Sequence, residues 1–430
     1  MLFIGVDLSD RFFDYCISNA SGEVLSGNRF DFNDDGFYSF VTCIQKHEPD
    51  IQNCVVGMEN PHSRLVDFLV QRGYTVMPTH PESIARYRES RIPSRAKSDP
   101  VDAGLIADYI REHHKNLRPI NMPDEIIREL SILLEDRDKL VEQKVRFSNQ
   151  LTSTLKDYFP QALEALEALE AFGSITNKSA LEFLARFDTH KDVKALPAQS
   201  LEKVLTECGF FRKDSKERFH NAMDTKLSVI SNAVIKAKTR LKNVLVGHLL
   251  LLISQIEDYE KQIQKIVDDT PNGCIFRSLF RSLFRSLFRS LFRSLPGADY
   301  ILGARLLVLY SSREFSSASE AQAFWGTCPC TSRSGSSMVV RFRKGCNQFG
   351  RNTFHQLAFC SLSSSQWAKK QHAKKRKEGK GSNHALRCIA NTWVKVTFAM
   401  WSSKTPYDES KHLASIANHI LNQPSFILGG

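Results

Sequence analysis

The order of strand and helix patterns in about the first 115 residues restricts the fold more than any other feature of the sequence. Short apolar or alternating runs predict strands, and the runs between them predict helices. Strands are expected at residues 2–8, 12–18, 24–32, 53–58 and 74–78, and helices at residues 37–46, 63–72 and 100–113. Residues 83–95 are expected to form a basic connector. Three meandering strands followed by alternating helix and strand are typical of an RNase H-like α/β sheet, which we predict for residues 1–118.

Two apolar series with a spacing of seven residues mark the middle of the chain, residues 119–275. The first series is Ile126, Leu133, Leu140 and Phe147. In the second series, the residues that alternate are Leu245, Leu249, Leu252, Ile256, Tyr259, Ile263 and Ile266. Because such heptads are typical of coiled coils, we expect a long helical coiled-coil middle that serves as an antiparallel arm or a dimerisation stalk. A plain helical bundle is the alternative.

The sequence Phe-Arg-Ser-Leu occurs five times in tandem over residues 276–295. On a helix four residues advance by about 400°, so the apolar side chains drift by only about 40° per repeat. The segment is therefore expected to be an amphipathic helical linker about 30 Å long. A helix that lies on a membrane surface is the alternative.

The positive charge of the chain is concentrated towards its C-terminus. The net charge is +11, and residues 331–400 contain 14 Lys and Arg residues against one acid, Glu378. Aromatic and aliphatic residues are interleaved with these charges, which favours a folded, mostly α-helical domain over residues 296–410, followed by a polar tail over residues 411–430. Such a local excess favours nucleic acid as the partner. A solvated tail is the alternative, and for the basic run within residues 369–380 the alternative is a solvated helix face.

Composition argues against a secreted or membrane-spanning protein. Apolar residues make up 42% and charged residues 24% of the chain, as in soluble globular proteins. The apolar run at residues 244–253 is too short to cross a bilayer, and the opening residues run directly into Asp7, unlike a signal peptide. The ten cysteines mostly lack paired spacing. We therefore expect a protein of the reducing cytoplasm, with no membrane partner.

Four acids lie where a predicted strand ends or a predicted helix begins. Asp7 ends the first strand, Glu59 ends the fourth, and Asp99 and Asp102 lie three residues apart at the start of a helix. In an RNase H-like sheet the first and fourth strands are neighbours, and the i, i+3 spacing puts two acids on one helix face. Clustered carboxylates repel one another without cations, and Mg²⁺ prefers carboxylate oxygen. Two such ions can hold a phosphodiester in line for displacement.

Each acid also has a structural explanation. Asp99 is suited to cap the helix before Pro100, both acids of the pair are favoured by the helix dipole, and Asp7 can be a turn residue. Their order on this topology favours the metal site.

The order Asp, Glu, Asp-x-x-Asp resembles that of the DEDD insertion-sequence transposases, which have a RuvC-like N-terminal domain, and of their relative, the Piv-type pilin invertase. The resemblance covers almost the whole chain except the Phe-Arg-Ser-Leu repeats. In the C-terminal region it rests on Leu295-Pro296-Gly297, Phe324-Trp325-Gly326-Thr327-Cys328-Pro329, Arg333-Ser334-Gly335, Gly345-Cys346-Asn347-Gln348-Phe349-Gly350-Arg351, His384-Ala385-Leu386-Arg387 and Thr405-Pro406-Tyr407-Asp408. The departures are Asp299, where the hairpin after Pro296-Gly297 usually has a second glycine, and Cys328 and Cys330 before the serine. That hairpin is either a phosphate-binding turn or a purely structural one.

The resemblance implies a serine recombinase. In the family, a serine of the C-terminal domain attacks DNA and forms a phosphoserine link, and the RuvC-like acids of another subunit complete the site. Carried over, Ser334 is the nucleophile, and the Mg²⁺ ligands are Asp7, Glu59, Asp99 and Asp102. The family acts as dimers to tetramers on target and donor DNA, guided by a structured non-coding bridge RNA, in the bacterial nucleoid.

Basic residues are expected to bind the phosphates of these nucleic acids, and Arg333, Arg341 and Arg343 to neutralise the phosphate that the serine attacks. The residues expected to bind nucleic acid are Arg333, Arg341, Arg343, Lys344, Arg351, Lys374, Lys375, Arg376 and Lys377.

Two other functions stay open from the residues alone. One is a metal-dependent junction nuclease of RuvC-like type, in which water is the nucleophile and the serine has no role. The other is a non-catalytic nucleic-acid-binding protein. Without the resemblance, the serines around Ser334 would be explained best as a flexible Ser/Gly loop.

Overall fold

A computed structural model describes residues 1–59, 63–91, 99–120, 123–168, 175–209, 213–224, 230–268, 291–335 and 337–414, without the side chains of residues 99, 100, 213–216 and 218. The chain forms two compact units, Met1–Pro123 and Asp124–Gly430. Within the described ranges, no helix is both long enough and apolar enough to cross a membrane.

A five-stranded mixed sheet forms the centre of the first unit. The strand order is β3-β2-β1-β4-β5, with β1, β2 and β3 antiparallel and β1, β4 and β5 parallel. The strands are β1 (Leu2–Leu8), β2 (Phe12–Ser18), β3 (Val24–Asp31), β4 (Cys54–Met58) and β5 (Thr75–Pro78). The expected mixed α/β domain is confirmed, and its first and fourth strands are neighbours.

Helices cover both faces of this sheet. They are α1 (Asp34–His47), α2 (Arg64–Gln71), α3 (Pro81–Arg91) and α4 (Asp99–His113), with 3-10 turns at Ile51–Asn53 and His114–Asn116. Because side chains alternate along a strand, Ile4 and Val6 pack in the core with α1 and α2, whereas Phe3 packs with Ile110 of α4. The segment expected to be a connector forms α3 over most of its length, and residues 92–98 lie outside the described ranges.

A glycine sets how closely α4 approaches the sheet. A Cβ atom added at Gly5 of β1 would lie 2.0 Å from the carbonyl oxygen of Ala103 and 2.4 Å from the backbone nitrogen of Ala107. Both contacts are with backbone, which cannot swing aside as a flexible side chain can. Gly5 therefore lets α4 lie directly on β1, two residues before Asp7 and one residue after Asp102.

Two long antiparallel helices, α5 (Glu125–Tyr158) and α11 (Asn232–Asp268), form the axis of the second unit. Arg137 of α5 donates to Glu260 at 2.9 Å, and Lys238 of α11 donates to Asp157 at 2.5 Å. Since residues early in one helix pair with residues late in the other, the two helices run in opposite directions. Between these ion pairs, the rings of Phe147 and His248 are 5.3 Å apart.

The two heptad series differ in how far their residues are buried in this helix pair. In α11, five of the seven predicted positions are buried: Leu245, Leu249, Leu252, Ile256 and Ile263. In α5, Ile126, Leu133, Leu140 and Phe147 are only half-buried. The buried residues of α5 lie near its two ends, because each end packs into a larger hydrophobic core while the middle contacts only one helix. Whether the pair is a coiled coil stays a prediction.

Short helices pack around the end of this pair where α5 finishes and α11 begins. They are α6 (Pro160–Ala168), α7 (Lys178–Arg186), α8 (His190–Lys194), α9 (Ala198–Glu207) and α10 (Lys213–Met223). Lys242 of α11 is fully buried there, and its ammonium donates to the carbonyl oxygens of Leu184 and Phe187 and to Asp188. This lysine satisfies carbonyl groups at the end of α7 that have no partner within the helix.

The opposite end of the pair packs against the basic C-terminal region. This region contains a 3-10 turn at Phe292–Ser294, helices α12 (Tyr300–Ser311), α13 (Ala318–Phe324), α14 (Gln348–Ser364), α15 (Gln366–Lys377) and α16 (Ser382–Ser403), and the strands β6 (Cys330–Ser334) and β7 (Ser337–Arg341). A buried ion pair joins the two parts: Arg305 of α12 donates to both carboxylate oxygens of Asp138, at 2.9 and 2.6 Å. The expected mostly helical remainder is confirmed.

The tandem repeat lies largely outside the described residues, which resume at Leu291. For residues 276–290, the predicted amphipathic linker lies outside the described residues. At the end of the repeat, Leu291, Phe292 and Leu295 are buried in the C-terminal core. The Phe292 ring stacks on Tyr310 and Trp401, with centroids 6.0 and 6.1 Å away. The last repeat thus belongs to the core of the domain, not to a linker.

The contacts of Asp299 show whether the hairpin after Pro296-Gly297 is suited to bind phosphate or is purely structural. Its carboxylate caps α12 and accepts a hydrogen bond of 2.7 Å from the backbone nitrogen of Leu302. It thereby takes up an N–H group that a phosphate at this helix end would need, and it adds negative charge. The structure favours the structural hairpin.

Candidate functional site

Three of the four predicted acids line one cavity of about 410 Å³ in the first unit. Asp7 comes from the end of β1, Glu59 directly follows β4, and Asp102 lies in the first turn of α4. The other lining residues are Leu8, Ser9, Asp14, Pro81, Ala85 and Arg88. The fourth acid, Asp99, is the first residue of α4, but its side chain lies outside the described atoms.

Strand register explains why acids meet at this point. Asp7 of β1 lies directly opposite Asp14 of β2. On the other side of β1, Val6 is paired with Met58, so the next residue, Glu59, continues beside Asp7. Since β1 and β4 are parallel, both carboxylates leave the same edge of the sheet.

An arginine of β3 offsets part of the negative charge at this edge of the sheet. Asp14 lies opposite Arg29 of β3, and the Arg29 guanidinium donates to both oxygens of Asp14, at 3.1 and 2.9 Å. Like charges that face each other across a sheet are destabilising. Arg29 therefore offsets the cost of placing Asp14 beside Asp7. Sequence analysis missed Asp14, the third residue of the second predicted strand, which the structure places opposite Asp7.

Arg88 of α3 is the basic residue of the cavity. Its Nη2 atom donates to Oδ1 of Asp102 at 2.5 Å, and Asp102 is only 5% exposed. Two residues of α3 near Arg88 also bind α4: Tyr87 donates to Asp108 at 2.7 Å, and Arg91 pairs with Glu112. Sequence analysis missed Arg88 because it treated the segment as a connector; a helix there would have put a basic face within reach of α4.

The described side chains include no group of three His, Cys, Asp or Glu residues placed to hold one metal ion. Arg88 occupies one oxygen of Asp102, and the side chain of Asp99 lies outside the described atoms. The carboxylates are nonetheless all-oxygen donors on one cavity, which is the donor type that Mg²⁺ prefers. In chemical type the residues present fit a magnesium site.

Ser334 lies near the tip of an exposed two-stranded hairpin in the second unit. Strands β6 and β7 pair Cys330 with Arg341 at the base and Ser334 with Ser337 at the tip. The Ser334 side chain is exposed. The alternative of a flexible Ser/Gly loop does not describe Ser334 itself, because strand pairs extend along the hairpin as far as this residue.

The hairpin register separates Ser334 from its neighbour Arg333. Successive side chains of a strand point to opposite faces, so Ser334 shares a face with Ser332, Val339 and Arg341. Arg333 lies on the other face with Met338 and Val340. Of the two hairpin arginines expected to neutralise the phosphate at Ser334, Arg341 shares its face but lies four residue positions away at the base, and Arg333 is adjacent but lies on the opposite face.

The remaining basic residues fall into two groups. Lys374, Arg376 and Lys377 are exposed at the end of α15, while Lys375 is paired with Glu378 at 2.8 Å. The other group, Arg343, Lys344 and Arg351, directly follows the hairpin. Lys344 is exposed, Arg343 is half-buried, and Arg351 is 6% exposed.

Two family models match the chain. A model described as "Transposase", of the DEDD type of IS110, matches residues 4–160. A second model, described as "Transposase IS116/IS110/IS902 family", matches residues 289–373. The first match includes the acidic cavity, and the second includes the hairpin that carries Ser334.

Relatives of similar length support the same assignment. The chain is 24% identical to the "Mini-circle putative transposase for IS117" of Streptomyces coelicolor over 427 residues, which cover 96% of this chain and 97% of that protein. It is 23% identical to the "Insertion element IS116 uncharacterized 44.8 kDa protein" of Streptomyces clavuligerus, over 94% of this chain and 95% of that protein. The corresponding "Insertion element IS110 uncharacterized 43.6 kDa protein" of Streptomyces coelicolor is 24% identical over 74% of this chain and 73% of its own length. Taken with the two family matches, these relatives show that the chain belongs to the IS110 family of insertion-sequence transposases.

Proposed function

We propose that this transposase cuts and joins DNA through a serine nucleophile, Ser334, assisted by Mg²⁺ at Asp7, Glu59, Asp99 and Asp102. The observation that carries the proposal is the cavity shared by Asp7, Glu59 and Asp102 at one edge of the sheet. The serine is supported by the family resemblance and by its exposed position on the hairpin.

The acidic cavity provides fixed oxygen donors. Asp7 and Glu59 leave the ends of two paired strands, so their backbone positions are set by the sheet. Asp102 is held by Arg88, and a bound cation would replace Arg88 as its partner. Bound Mg²⁺ would neutralise phosphodiester oxygens and lower the cost of deprotonating an attacking hydroxyl.

The serine step exchanges one phosphodiester bond for another. The Oγ–P bond of Ser334 forms, one P–O bond of the DNA breaks, and the leaving deoxyribose oxygen takes up a proton while the serine gives up its own. Because a phosphoserine ester retains the bond energy, a hydroxyl of a second strand can attack it and rejoin the DNA. This chemistry permits strand exchange without a high-energy cofactor.

Target and donor DNA are the proposed substrates, and a structured bridge RNA of the insertion element is the proposed guide. The exposed lysines and arginines of α15 and of the hairpin suit the phosphate backbones of such ligands. Contacts of this kind position a nucleic acid without reading its sequence, which leaves sequence choice to base pairing with the RNA. The proposed place of action is the bacterial nucleoid.

A dimer to tetramer is the proposed assembly, and the helix pair offers a surface for it. Val145 of α5 and Leu251 of α11 are 51% and 59% exposed. They lie at the same level of the antiparallel pair, close to the contact between Phe147 and His248. A second copy that packs against this level of the helix pair would bury both side chains.

A junction nuclease that uses only the acids is the second candidate. It is favoured by the acidic cavity itself, whose three described acids all lie within Met1–Pro123. Their placement in this cavity needs no residue of the unit that carries Ser334. A non-catalytic nucleic-acid-binding role is a third possibility, in which neither group acts on a phosphate.

Metal removal separates these functions. With duplexes that carry the element ends and the target, plus RNA transcribed from the element, Mg²⁺ is expected to yield strand exchange and a protein–DNA adduct that resists SDS. Chelation by EDTA is expected to lower both by at least about 100-fold, and fresh Mg²⁺ to restore them. Gel electrophoresis measures both products.

Other results of this experiment would favour the other two functions or contradict the metal site. Cleavage in Mg²⁺ without any adduct would favour the junction nuclease. Binding without cleavage, in a preparation of the intact chain, would favour the non-catalytic role. Full strand exchange in EDTA would contradict the proposed metal site.

A further inference from the structure

A cluster of three arginines and one histidine lies at the base of the hairpin, where β7 ends. Arg343 follows the strand, Arg351 and His355 lie one turn apart on α14, and Arg387 lies on α16. The Phe342 ring joins the group, because the Arg351 guanidinium carbon lies 4.4 Å and that of Arg387 5.4 Å from its centroid. We call these four residues and Phe342 the basal recess.

The charges of the recess have no counter-charge among the described residues. Arg351 donates to the amide oxygen of Gln348 at 3.3 Å and to the carbonyl oxygen of Arg343. Within the described ranges, no carboxylate pairs with Arg343, Arg351 or Arg387. The ring of Phe342 contributes only about 0.5–1 kcal/mol per cation, much less than the cost of burying an unpaired charge. The recess is therefore a concentrated positive charge that lacks an anion.

Buried nitrogen atoms without partners point to the same conclusion. Nε of Arg343, Nε of Arg351 and Nε2 of His355 are buried and have no hydrogen-bond partner among the described residues. Burial, and after it the positive charges of Arg351 and Arg387, lower the pKa of His355. Buried polar atoms normally have partners, so three such atoms in one cluster indicate a ligand that brings acceptor oxygens.

The backbone around the recess is built to admit Arg351. Gly326 has a φ of +63°, and a Cβ atom there would lie 2.6 Å from Nη2 of Arg351 and 2.5 Å from the sulfur of Cys346. Asn347 caps α14 by accepting a hydrogen bond of 2.7 Å from Gly350, which fixes the turn that carries Arg351. Arg351 is 6% exposed and forms the floor, while the half-buried Arg343 and Arg387 can be reached from solvent.

We propose that the basal recess is a phosphate-binding site for the backbone of a DNA strand, with Arg343, Arg351, His355 and Arg387 as its donors. Three arginines suit a phosphate because each guanidinium offers several N–H groups in a planar fork. The choice of DNA as the bearer of the phosphate rests on the proposed function, whereas the phosphate site itself does not.

The length of the hairpin relates this site to Ser334 for a DNA strand that runs along the hairpin. Four residue positions separate the Cys330–Arg341 pair at the base from the Ser334–Ser337 pair at the tip, which is about 13 Å along a strand. With about 3.4 Å of helix axis per nucleotide, a phosphate of such a strand in the recess would lie roughly four steps from the phosphate at Ser334. Arg387 and its neighbours are positioning residues that hold the strand while a different phosphate reacts.

Inorganic phosphate is the first probe. At constant ionic strength, the intact chain is expected to bind phosphate with a measurable heat and to gain thermal stability from it. Arg387→Gln and His355→Gln are each expected to weaken this binding by about tenfold or more, a loss typical of one charged hydrogen bond. Arg240→Gln, which removes the same charge from an exposed position on α11, is expected to leave it unchanged. Circular dichroism confirms that each variant is folded.

Duplex DNA is the second probe. The logarithm of the affinity of the parent for a 20-base-pair duplex falls with the logarithm of salt concentration, and Arg387→Gln is expected to reduce that slope by about one phosphate contact. Ser334→Ala is expected to keep the slope of the parent, because it removes no charge. An active enzyme whose Arg387→Gln variant binds phosphate like the parent, or loses no more than Arg240→Gln, would overturn the phosphate site. Loss of phosphate binding with an unchanged DNA slope would overturn the assignment to DNA.

Discussion

Replacing Ser334 with alanine is expected to lower formation of the covalent protein–DNA adduct by at least about 1,000-fold. Removal of a nucleophile takes away the atom that forms the new bond, so no neighbouring group can substitute for it without a change of mechanism. DNA binding is expected to stay within about twofold of the parent, since the lost hydroxyl is exposed and uncharged. The measurement is the yield of SDS-resistant adduct and of exchanged strands in Mg²⁺.

Ser332→Ala is the matched control for this prediction. Ser332 lies on the same strand and the same face as Ser334, and both side chains are exposed. Removing its hydroxyl changes the hairpin equally in size and polarity, so we expect adduct formation close to that of the parent. Equal losses in the two variants would indicate a general role of the hairpin surface. Full adduct formation by Ser334→Ala would show that another group is the nucleophile.

Replacing Arg88 with glutamine is expected to reduce the free energy of unfolding by about 2–3 kcal/mol in EDTA. The substitution leaves Asp102 buried without its counter-charge, beside two further acids of the same cavity. Added Mg²⁺ is expected to stabilise this variant more than the parent, because the ion no longer competes with a guanidinium for Asp102. Calorimetry with Mg²⁺ alone is expected to show an affinity about tenfold higher than that of the parent.

Arg86→Gln serves as the control on the same helix. Arg86 is largely exposed, and its pair with Glu82 spans 3.8 Å at the surface of α3. Surface pairs of this kind contribute about 0–1 kcal/mol, so stability and Mg²⁺ affinity are expected to change little. If Arg88→Gln bound Mg²⁺ no more tightly than the parent, Arg88 would not be a competitor for the metal site.

The layout of the first unit could be predicted because its strands carry simple patterns. Residues 2–8 and 53–58 form short apolar runs, which burial on both faces of a sheet requires, and the structure pairs them as β1 and β4. Once these strands are neighbours, the positions of Asp7 and Glu59 at their ends bring the two acids together. The helices of the second unit could be predicted from periodicity in the same way. The buried residues of α5, however, lie near its two ends and are not the predicted heptad positions.

Contacts between residues that are far apart in the chain could not be predicted from the sequence. Arg88 and Asp102 meet only because α3 and α4 pack side by side, and nothing in the run of basic residues shows which arginine faces α4. The basal recess depends on residues from three separate segments, and His355 gives no motif of its own. The face of the hairpin on which Arg333 lies depends on the register of β6 and β7. A Ser- and Gly-rich sequence does not predict that register.

The location of the covalent bond tests the central claim most directly. Adduct formed by the parent in Mg²⁺ can be digested with nuclease and protease, and the peptide that retains a nucleotide can be identified by mass spectrometry. The account predicts a single nucleotide phosphate on Ser334. A nucleotide on Ser332, on Ser337 or on a tyrosine would contradict it, and so would cleaved and rejoined DNA without any linked peptide.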